Sequence, residues 1–387
     1  MRLIAILILT VCTYATLHAQ SADEVLQSIA ANNPALRTLR ATADASRLDN
    51  ATGLNLSDPL VDFAYKWGAP SDALNKVDLS VTQEFDYATV FGLKRQEARM
   101  RNTIVDIEQQ QQEQIIMLEA SELLINLVHS NRLSLQYAER LAQMRTLVDK
   151  YQKALSAGEV SRLDISKVRL ALAELQAEAD AHGVQHQSLL SQLRAYNGGI
   201  DIAFSDTVYP SAPLSYTAYS AQPTASHLLQ VRGEAQQNLS AQEVRMARAA
   251  SLPSLSVGYV SELTKAEKLR GVGIGLSIPL WSNHNNVRRA KAHQQAQAAA
   301  IDEARFQLQS QREQMQAQAA ALQSSLTSSR RLLAEVDDTA MMALALSAGE
   351  ISLIDYIWNM QNLYSLRQQV LLTERDYRIA LLRLSAL

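Results

Sequence analysis

One ten-residue phrase occurs twice in this chain, and it constrains the fold more than any other feature. Leu155–Asp164 reads LSAGEVSRLD and Leu346–Asp355 reads LSAGEISLID, with seven of ten residues identical at an offset of 191. Pro59 opens an alternating segment, and Pro253 opens another 194 residues later. Gln83-Glu84-Phe85 near the end of one alternating segment corresponds to Ile278-Pro279-Leu280 in the other half, and a basic pair follows early in a helical stretch each time, Lys94-Arg95 and Arg288-Arg289. A fixed period of this kind marks tandem copies of one supersecondary unit. The expected organisation is a first repeat over 20–199, a linker over 200–223 and a second repeat over 224–387.

The hydrophobic period supplies the contents of the unit. Residues 21–55 are helical in pattern, with Pro34 near a helix start after the capping pair Asn32-Asn33. In LVDFAYKW, Val61, Phe63, Tyr65 and Trp67 share one face, while Leu60, Asp62, Ala64 and Lys66 share the other. The same alternation recurs in Val77–Tyr87, in Leu255, Val257 and Tyr259, and in Val272–Leu280. Period-2 alternation is the strand signature, so strands are expected at about 59–67, 77–87, 253–260 and 272–281, with polar loops at Gly68–Lys76 and Ser261–Arg270.

From Gly92 to Ser156 there is no proline, and such a helix would run on the order of 100 Å. Tyr137, Leu141, Met144, Val148, Tyr151 and Leu155 recur at coiled-coil spacing, as do Ile165, Val168, Leu172, Leu175 and Ala179 after Gly158. A glycine between two such stripes reverses the chain, which gives a long helical hairpin over about 92–197 with its tip at 156–164. The copy runs over about 287–385, with its tip at 347–355. Gly158 and Gly349 permit a left-handed turn, Ser161 and Ser352 can cap the returning helix, and Asp164 and Asp355 complete a capping-box variant three residues later.

The first 19 residues read as a cleaved export signal, with Arg2, an apolar Leu3–Val11 core and Leu17-His18-Ala19 before Gln20. The rival is a lipoprotein signal through Leu9-Thr10-Val11-Cys12, but Val11 stands where a small residue is wanted. Cys12 is the chain's one cysteine. No later segment approaches the ~20 apolar residues of a membrane helix, a test that barrel strands evade. Net charge is −3 with both signs interspersed, so no basic field for nucleic acid exists.

Four strands with an apolar outer face have two open edges and nothing to cover that face. Lipid covers the face, but a spanning sheet must still close, because an unpaired backbone group in hydrocarbon costs several kcal/mol. Membrane barrels start at about eight strands, so several copies must contribute; three give twelve. Asp62, Lys66, Asp78, Thr82, Glu84, Ser256 and Gly275 would then line a wet interior, and Tyr65, Trp67, Tyr87, Tyr259 and Trp281 suit an interfacial girdle.

The ordered set of features resembles the TolC-like outer-membrane efflux proteins over roughly Ala22–Leu384. It comprises the duplicated helix–strand–strand–helix–helix unit, Asn33-Pro34, Leu252-Pro253 before a strand, Ser277-Ile278-Pro279-Leu280 ending one, and two Gly-Glu-(Val/Ile)-Ser turns followed by Asp. The resemblance implies a mainly α chain with a small β part, forming a homotrimer. Its 12-stranded outer-membrane β-barrel would be continuous with a long α-helical coiled-coil barrel extending into the periplasm. It also implies that Gly158, Glu159, Val160, Ser161 and Asp164, with Gly349, Glu350, Ile351, Ser352 and Asp355, form the entrance tips where a periplasmic adaptor of an inner-membrane pump docks. Where family members often carry a further acidic ring one turn later, this chain has Trp358, a candidate constriction.

No catalytic set accompanies these features, and no cofactor is expected. His182 and His186 lie four apart on a helix without a third ligand and read as a solvated pair. Gly271, Gly273 and Gly275 fall in a strand rather than a phosphate loop. The expected role is a passive duct in a tripartite efflux system. Two alternatives stand beside it. One is the metal-cation, CusC/CzcC-like branch of the family, to which Gln83-Glu84-Phe85 and Gly92-Leu93-Lys94-Arg95 look similar; the other is a pore-less periplasmic coiled-coil scaffold.

Overall fold

A computed structural model of the protein describes residues 21–68, 75–85, 88–209, 224–281 and 283–387. The expected export signal with Cys12, the end of the second strand with Tyr87, and most of the 200–223 linker lie outside these residues. The elements run α1 (Ala22–Asn32), α2 (Pro34–Ala51), β1 (Leu60–Lys66), β2 (Lys76–Phe85), α3 (Ala88–Ala157) and α4 (Arg162–Tyr196). Then come α5 (Ala225–Ala249), β3 (Ser254–Thr264), β4 (Lys268–Ser277), α6 (Asn286–Val336), α7 (Thr339–Ala348) and α8 (Leu353–Ala386). No helix among the described residues is long and apolar enough to cross a membrane. The chain divides into two compact units.

One unit holds the sheet, together with α2, α5, the first part of α3 up to Ile115 and the first part of α6 up to Glu313. The sheet is antiparallel throughout, in the order β1-β2-β3-β4. The register aligns Val61, Val81, Tyr259 and Val272 in one row across all four strands. Because side chains alternate, this row fixes the faces. Phe63, Tyr65, Val77, Leu79, Phe85, Leu255, Val257, Ile274 and Leu276 share the apolar side, whereas Asp62, Lys66, Asp78, Ser80, Thr82, Glu84, Ser256, Gly258, Gly273 and Gly275 share the other. The helical part of the unit has its own small core, with Leu36, Ile104, Ile107, Leu228 and Val244 buried.

Three expectations about these elements need correction. The second hairpin has no ten-residue loop at Ser261–Arg270: β3 continues to Thr264 and β4 starts at Lys268. Thr264 makes this possible, since its N–H donates to Glu267 O (2.9 Å) and its hydroxyl oxygen accepts from Glu267 N–H (3.0 Å), closing a tight turn that lets polar residues keep pairing. Tyr259 consequently sits in the middle row of the sheet, not at a strand end. β4 also stops at Ser277 instead of reaching 281, because Pro279 has no N–H to give a ladder. Finally, the second long helix is not continuous to Ser347. It breaks at Asp337-Asp338, where the Asp338 carboxylate accepts from Met341 N–H (2.8 Å) and starts α7 as a new helix.

The other unit contains α1, the rest of α3, α4, the rest of α6, α7 and α8. Ser21 and Glu24 form a capping box at the start of α1. Val25, Leu26 and Ile29 of α1 are fully buried, as are Leu124, Leu127 and Val128 of α3 and Leu193 of α4. Residues 200–209 are irregular yet packed: Phe204 and Tyr209 are buried, and Asn131 Nδ2 donates to Asp206 O at 2.9 Å. Arg132 and Arg378 lie over the Tyr209 ring, and burial pushes its hydroxyl up to about 12. Glu374, also buried, is held by Arg132 and Arg330, each at 2.8 Å.

The join after α4 is tightly specified. Asn197 is fully buried, and its side-chain oxygen accepts from Ser28 Oγ (2.9 Å) and Asn32 Nδ2 (3.2 Å). Gly198 follows with φ +67, and a Cβ there would stand 2.6 Å from Asn32 O. Gly199 has φ +90 but open space around it. Gly198→Ala therefore meets both backbone strain and a clash with a carbonyl that cannot swing away, at a combined cost of about 2–4 kcal/mol, whereas Gly199→Ala meets strain alone, about 1–2 kcal/mol. Denaturant titration of both variants should rank them in that order.

Candidate functional site

Two helix reversals and one uncovered sheet are the features of this chain that a folded monomer leaves unused. At the first reversal, Gly158 takes φ +78 just after α3. Its N–H donates to Leu155 O (3.1 Å) and that of Glu159 to Ala154 O (2.9 Å), which satisfies carbonyls that the helix end orphans. Ser161 then caps α4. Its hydroxyl oxygen accepts from Asp164 N–H (3.2 Å), its own N–H donates to Asp164 Oδ2 (3.2 Å), and its hydroxyl donates to the same oxygen (2.6 Å).

The second reversal repeats this chemistry. Gly349 has φ +77, and Gly349 N–H and Glu350 N–H donate to Leu346 O (3.2 Å) and Ala345 O (2.9 Å). Ser352 accepts from Asp355 N–H (3.2 Å) and donates to Asp355 Oδ2 (2.6 Å). Gly158, Glu159, Ser161, Gly349, Glu350, Ser352 and Asp355 are exposed, while Val160, Asp164 and Ile351 are half-buried. The hydrogen bonds to Ser161 hold the Asp164 carboxyl below the usual carboxylate range, helped by Lys167. Trp358, one turn beyond Asp355 on α8, is 64% exposed.

Packing behind the tips unites both hairpins. Leu147 of α3, Val168 of α4 and Leu353 of α8 form a buried cluster, with Met144, Val148, Tyr151, Leu346, Tyr356 and Ile357 packed against it. A groove of about 450 Å³ beside it is lined by Lys150 and Tyr151 of α3, Ala343 and Leu346 of α7, and Tyr356 and Met360 of α8. Further from the tips, Tyr364 is buried with Arg140 over its ring (4.6 Å) and Arg367 also over it (4.9 Å), and its hydroxyl donates to Gln143 (2.9 Å). Arg367 in turn pairs with Asp337 at the α6–α7 break. The sequence reading missed this network. The helix-start pattern Asp338-Thr339 was available as a signal, but an arginine stacked on a tyrosine leaves no periodic trace.

The histidines also differ from expectation. His182 is buried, not solvated, with Nε2 3.0 Å from Ser134 Oγ and 3.1 Å from Ser130 O, while His186 Nδ1 lies 2.9 Å from Ser130 Oγ. They serve as α3–α4 contacts, and among the described residues no group of three metal-ligating side chains forms. Nearby, burial lowers His129 to about 4, with Arg375 of α8 and His182 of α4 adding to the effect and the Leu371 carbonyl and Asp376 opposing it.

The sheet is the other half of the site. On its apolar side Phe63, Ile274 and Val272 are 68%, 77% and 84% exposed, so none of the described elements covers that side. Among the described residues, the backbones of β1 and β4 each pair on one side only. The polar side is laced by ion pairs near the hairpin turns: Lys66–Asp78 at 2.7 Å, Lys76–Glu262 at 2.5 Å and Lys76–Asp78 at 3.4 Å.

No family model and no curated protein sequence matches the chain. Solved structures do. CusC, a protein studied for transmembrane channel formation, superposes with a TM-score of 0.78 at 14% identity, covering 95% of this chain and 91% of that one. The outer-membrane protein VceC of Vibrio cholerae gives 0.72 at 13%, covering 94% of each chain. The outer-membrane channel CmeC of Campylobacter jejuni gives 0.68 at 16%, covering 94% and 84%. The chain therefore has the fold of these outer-membrane channels, the TolC-like architecture, with its mainly helical content and small antiparallel sheet.

Two outcomes test this geometry. Removing the first cap with Ser161→Ala should cost about 0.5–2 kcal/mol and speed amide exchange over Arg162–Ile165 while leaving the sheet amides unchanged, as read by hydrogen–deuterium exchange. His129 is neutral in the folded protein at pH values where the unfolded chain already takes up a proton. A depressed pKa contributes stability that is present above the unfolded value and lost as pH falls. The melting temperature should thus drop between about pH 6.5 and 4, and less steeply in His129→Gln.

Proposed function

We propose that the protein is the outer-membrane channel of a tripartite efflux system, a passive, non-enzymatic duct without a cofactor. The observation that carries this reading is the sheet: a polar face, an uncovered apolar face, and edges at β1 and β4 that no described strand pairs. In water the apolar face would drive aggregation. In hydrocarbon that face is favourable and the edges become the liability. Three copies joined edge to edge, β4 to the next copy's β1, remove both and give a twelve-stranded barrel with the polar, glycine-containing face inward. β2, β3 and β4, at 10, 11 and 10 residues, have the length of strands that cross a bilayer.

On this reading residues 1–19 are an export signal, cleaved without lipidation at Cys12. The mature chain is then two tandem copies of one unit, 20–199 and 224–387, with 200–223 between them. The helical hairpins extend into the periplasm, and their tips at 156–164 and 347–355 meet the adaptor of an inner-membrane pump. Exposed Glu159 and Glu350 stand on glycine turns whose own two amides are returned to the outgoing helix, which holds both carboxylates outward at the tips. Trp358 is the constriction residue. CusC has the fold, and Gln83-Glu84-Phe85 and Gly92-Leu93-Lys94-Arg95 look similar to the metal-cation branch, but among the described residues no group of three metal-ligating side chains favours metal ions as cargo over other solutes, and the sheet disfavours a scaffold without a pore.

Three measurements test the reading. The reconstituted protein should conduct ions in planar bilayers and run as a compact band that shifts on boiling; a monomer free in the soluble periplasmic fraction would end the proposal. Ala64→Cys combined with Gly271→Cys or Gly273→Cys, placed at the two open edges, should give a disulfide-linked trimer on oxidation in at least one combination. Gly158→Pro or Gly349→Pro should abolish export of whatever the pump carries while conductance survives, because only the tips are altered.

A further inference from the structure

We infer that the helical end of the barrel carries a basic collar that binds the headgroups of anionic phospholipid in the adjoining leaflet. This rests on the membrane reading of the sheet and adds a ligand class to it. The four helices that adjoin the sheet all meet it at the end away from the hairpin turns, α2 and α5 leading into β1 and β3, and α3 and α6 leaving β2 and β4. That end is rich in cations. α6 opens with Arg288, Arg289 and Lys291 and carries no Asp or Glu before Asp302, α5 closes with Arg245 and Arg248, and Arg95 stands in the second turn of α3.

Three observations set these residues apart from ordinary surface charge. The first is position: Arg288 and Arg289 lie in the first turn of α6, where the helix dipole disfavours positive charge, so local helix stability does not explain them. The second is lack of partners. At the hairpin-turn end, Lys66 and Lys76 pair with Asp78 and Glu262, while Lys268 and Arg270 are exposed without an ion pair among the described residues, so it is the number of unpaired cations together with their position that marks the other end. At the helical end, Arg245, Arg248, Arg288, Arg289 and Lys291 are all exposed, and none makes a side-chain hydrogen bond or ion pair among the described residues. The acids that line the nearby groove, Glu97 and Glu243, are taken by Arg101, with His293 3.8 Å from Glu243. The third is depth. Between the end of β4 and α6 lie Ile278, Leu280 and Trp281, 56%, 68% and 82% exposed. They continue the apolar band, with a tryptophan where the bilayer interface would begin. Arg288 to Lys291 then fall about 3–8 Å along α6 from its first residue, a distance comparable to the thickness of a headgroup layer, about 5–7 Å.

Cations placed just past an apolar band, without protein partners, match phosphodiester headgroups, and clustered Lys and Arg at a membrane surface favour anionic over zwitterionic lipid. The test uses the purified full-length protein exposed to phosphatidylglycerol and phosphatidylcholine with identical acyl chains, with retained lipid counted by native mass spectrometry. The parent should retain phosphatidylglycerol at least about five-fold in preference, and millimolar inorganic phosphate should not displace it. Arg288→Gln/Arg289→Gln/Lys291→Gln and Arg245→Gln/Arg248→Gln should each reduce the preference, whereas Arg288→Lys/Arg289→Lys should keep it. Equal retention of the two lipids by the parent, undiminished preference in both glutamine sets, or displacement by inorganic phosphate would overturn the inference. If the heat-shifted oligomer forms normally while the preference is absent, the collar alone fails; if no oligomer forms, the channel reading fails and the collar with it.

Discussion

Everything distinctive about this chain depends on a sheet that cannot complete itself. A four-stranded antiparallel sheet has two edges, and here the register also puts Val61, Val81, Tyr259 and Val272 in one row on a side that no described helix covers. Water penalises the exposed side chains, and lipid penalises the exposed backbone. On the function proposed above, a closed, multi-chain cylinder in lipid removes both penalties. The glycine and serine content of the opposite face fits the same arrangement, since that side needs to be neither bulky nor apolar.

The helices obey a different constraint. Long α-helices have few places to turn, and their ends strand several backbone groups each. Both reversals solve this with the same parts: a left-handed glycine that returns two amides to the outgoing helix, and a serine–aspartate pair that caps the incoming one. The repeated phrase is therefore explained by local hydrogen bonding, without any partner. Its surface exposure, with Glu159 and Glu350 unburied, leaves it free for the docking role proposed above.

Between the tips and the far end of the hairpins, specificity comes from buried polar groups. Glu374 is buried but shared by Arg132 and Arg330, and Tyr364 is buried between Arg140 and Arg367. A buried carboxylate without such partners would be strongly destabilising, so these pairs fix which helix faces meet. Asn197 does the same for α1 and α4, where Gly198 allows the backbone approach that the join requires.

Much of this was legible from residue order alone. Strand faces, the capping residues of the tips, the start of α2 at Pro34 and the glycine reversals all follow from short-range rules: period 2, period 3.5, and the conformational range of glycine and proline. Where those rules are weak, the reading erred. Ser261–Arg270 looked like a loop because polar residues dominate it, yet Thr264 closes a tight turn and the ladder runs on, which moves Tyr259 to mid-sheet. Asp337-Asp338 interrupts a helix that periodicity would continue. Residues 200–209 are anchored by Asn131, Arg132 and Arg378, contacts between positions far apart in the chain. Local sequence determined what each segment is and where it turns, because those outcomes depend on neighbours within a few residues. Only the tertiary structure decided that β2 pairs with β3 to merge two hairpins into one sheet, and which buried charges find each other, because both depend on contacts that no local pattern encodes.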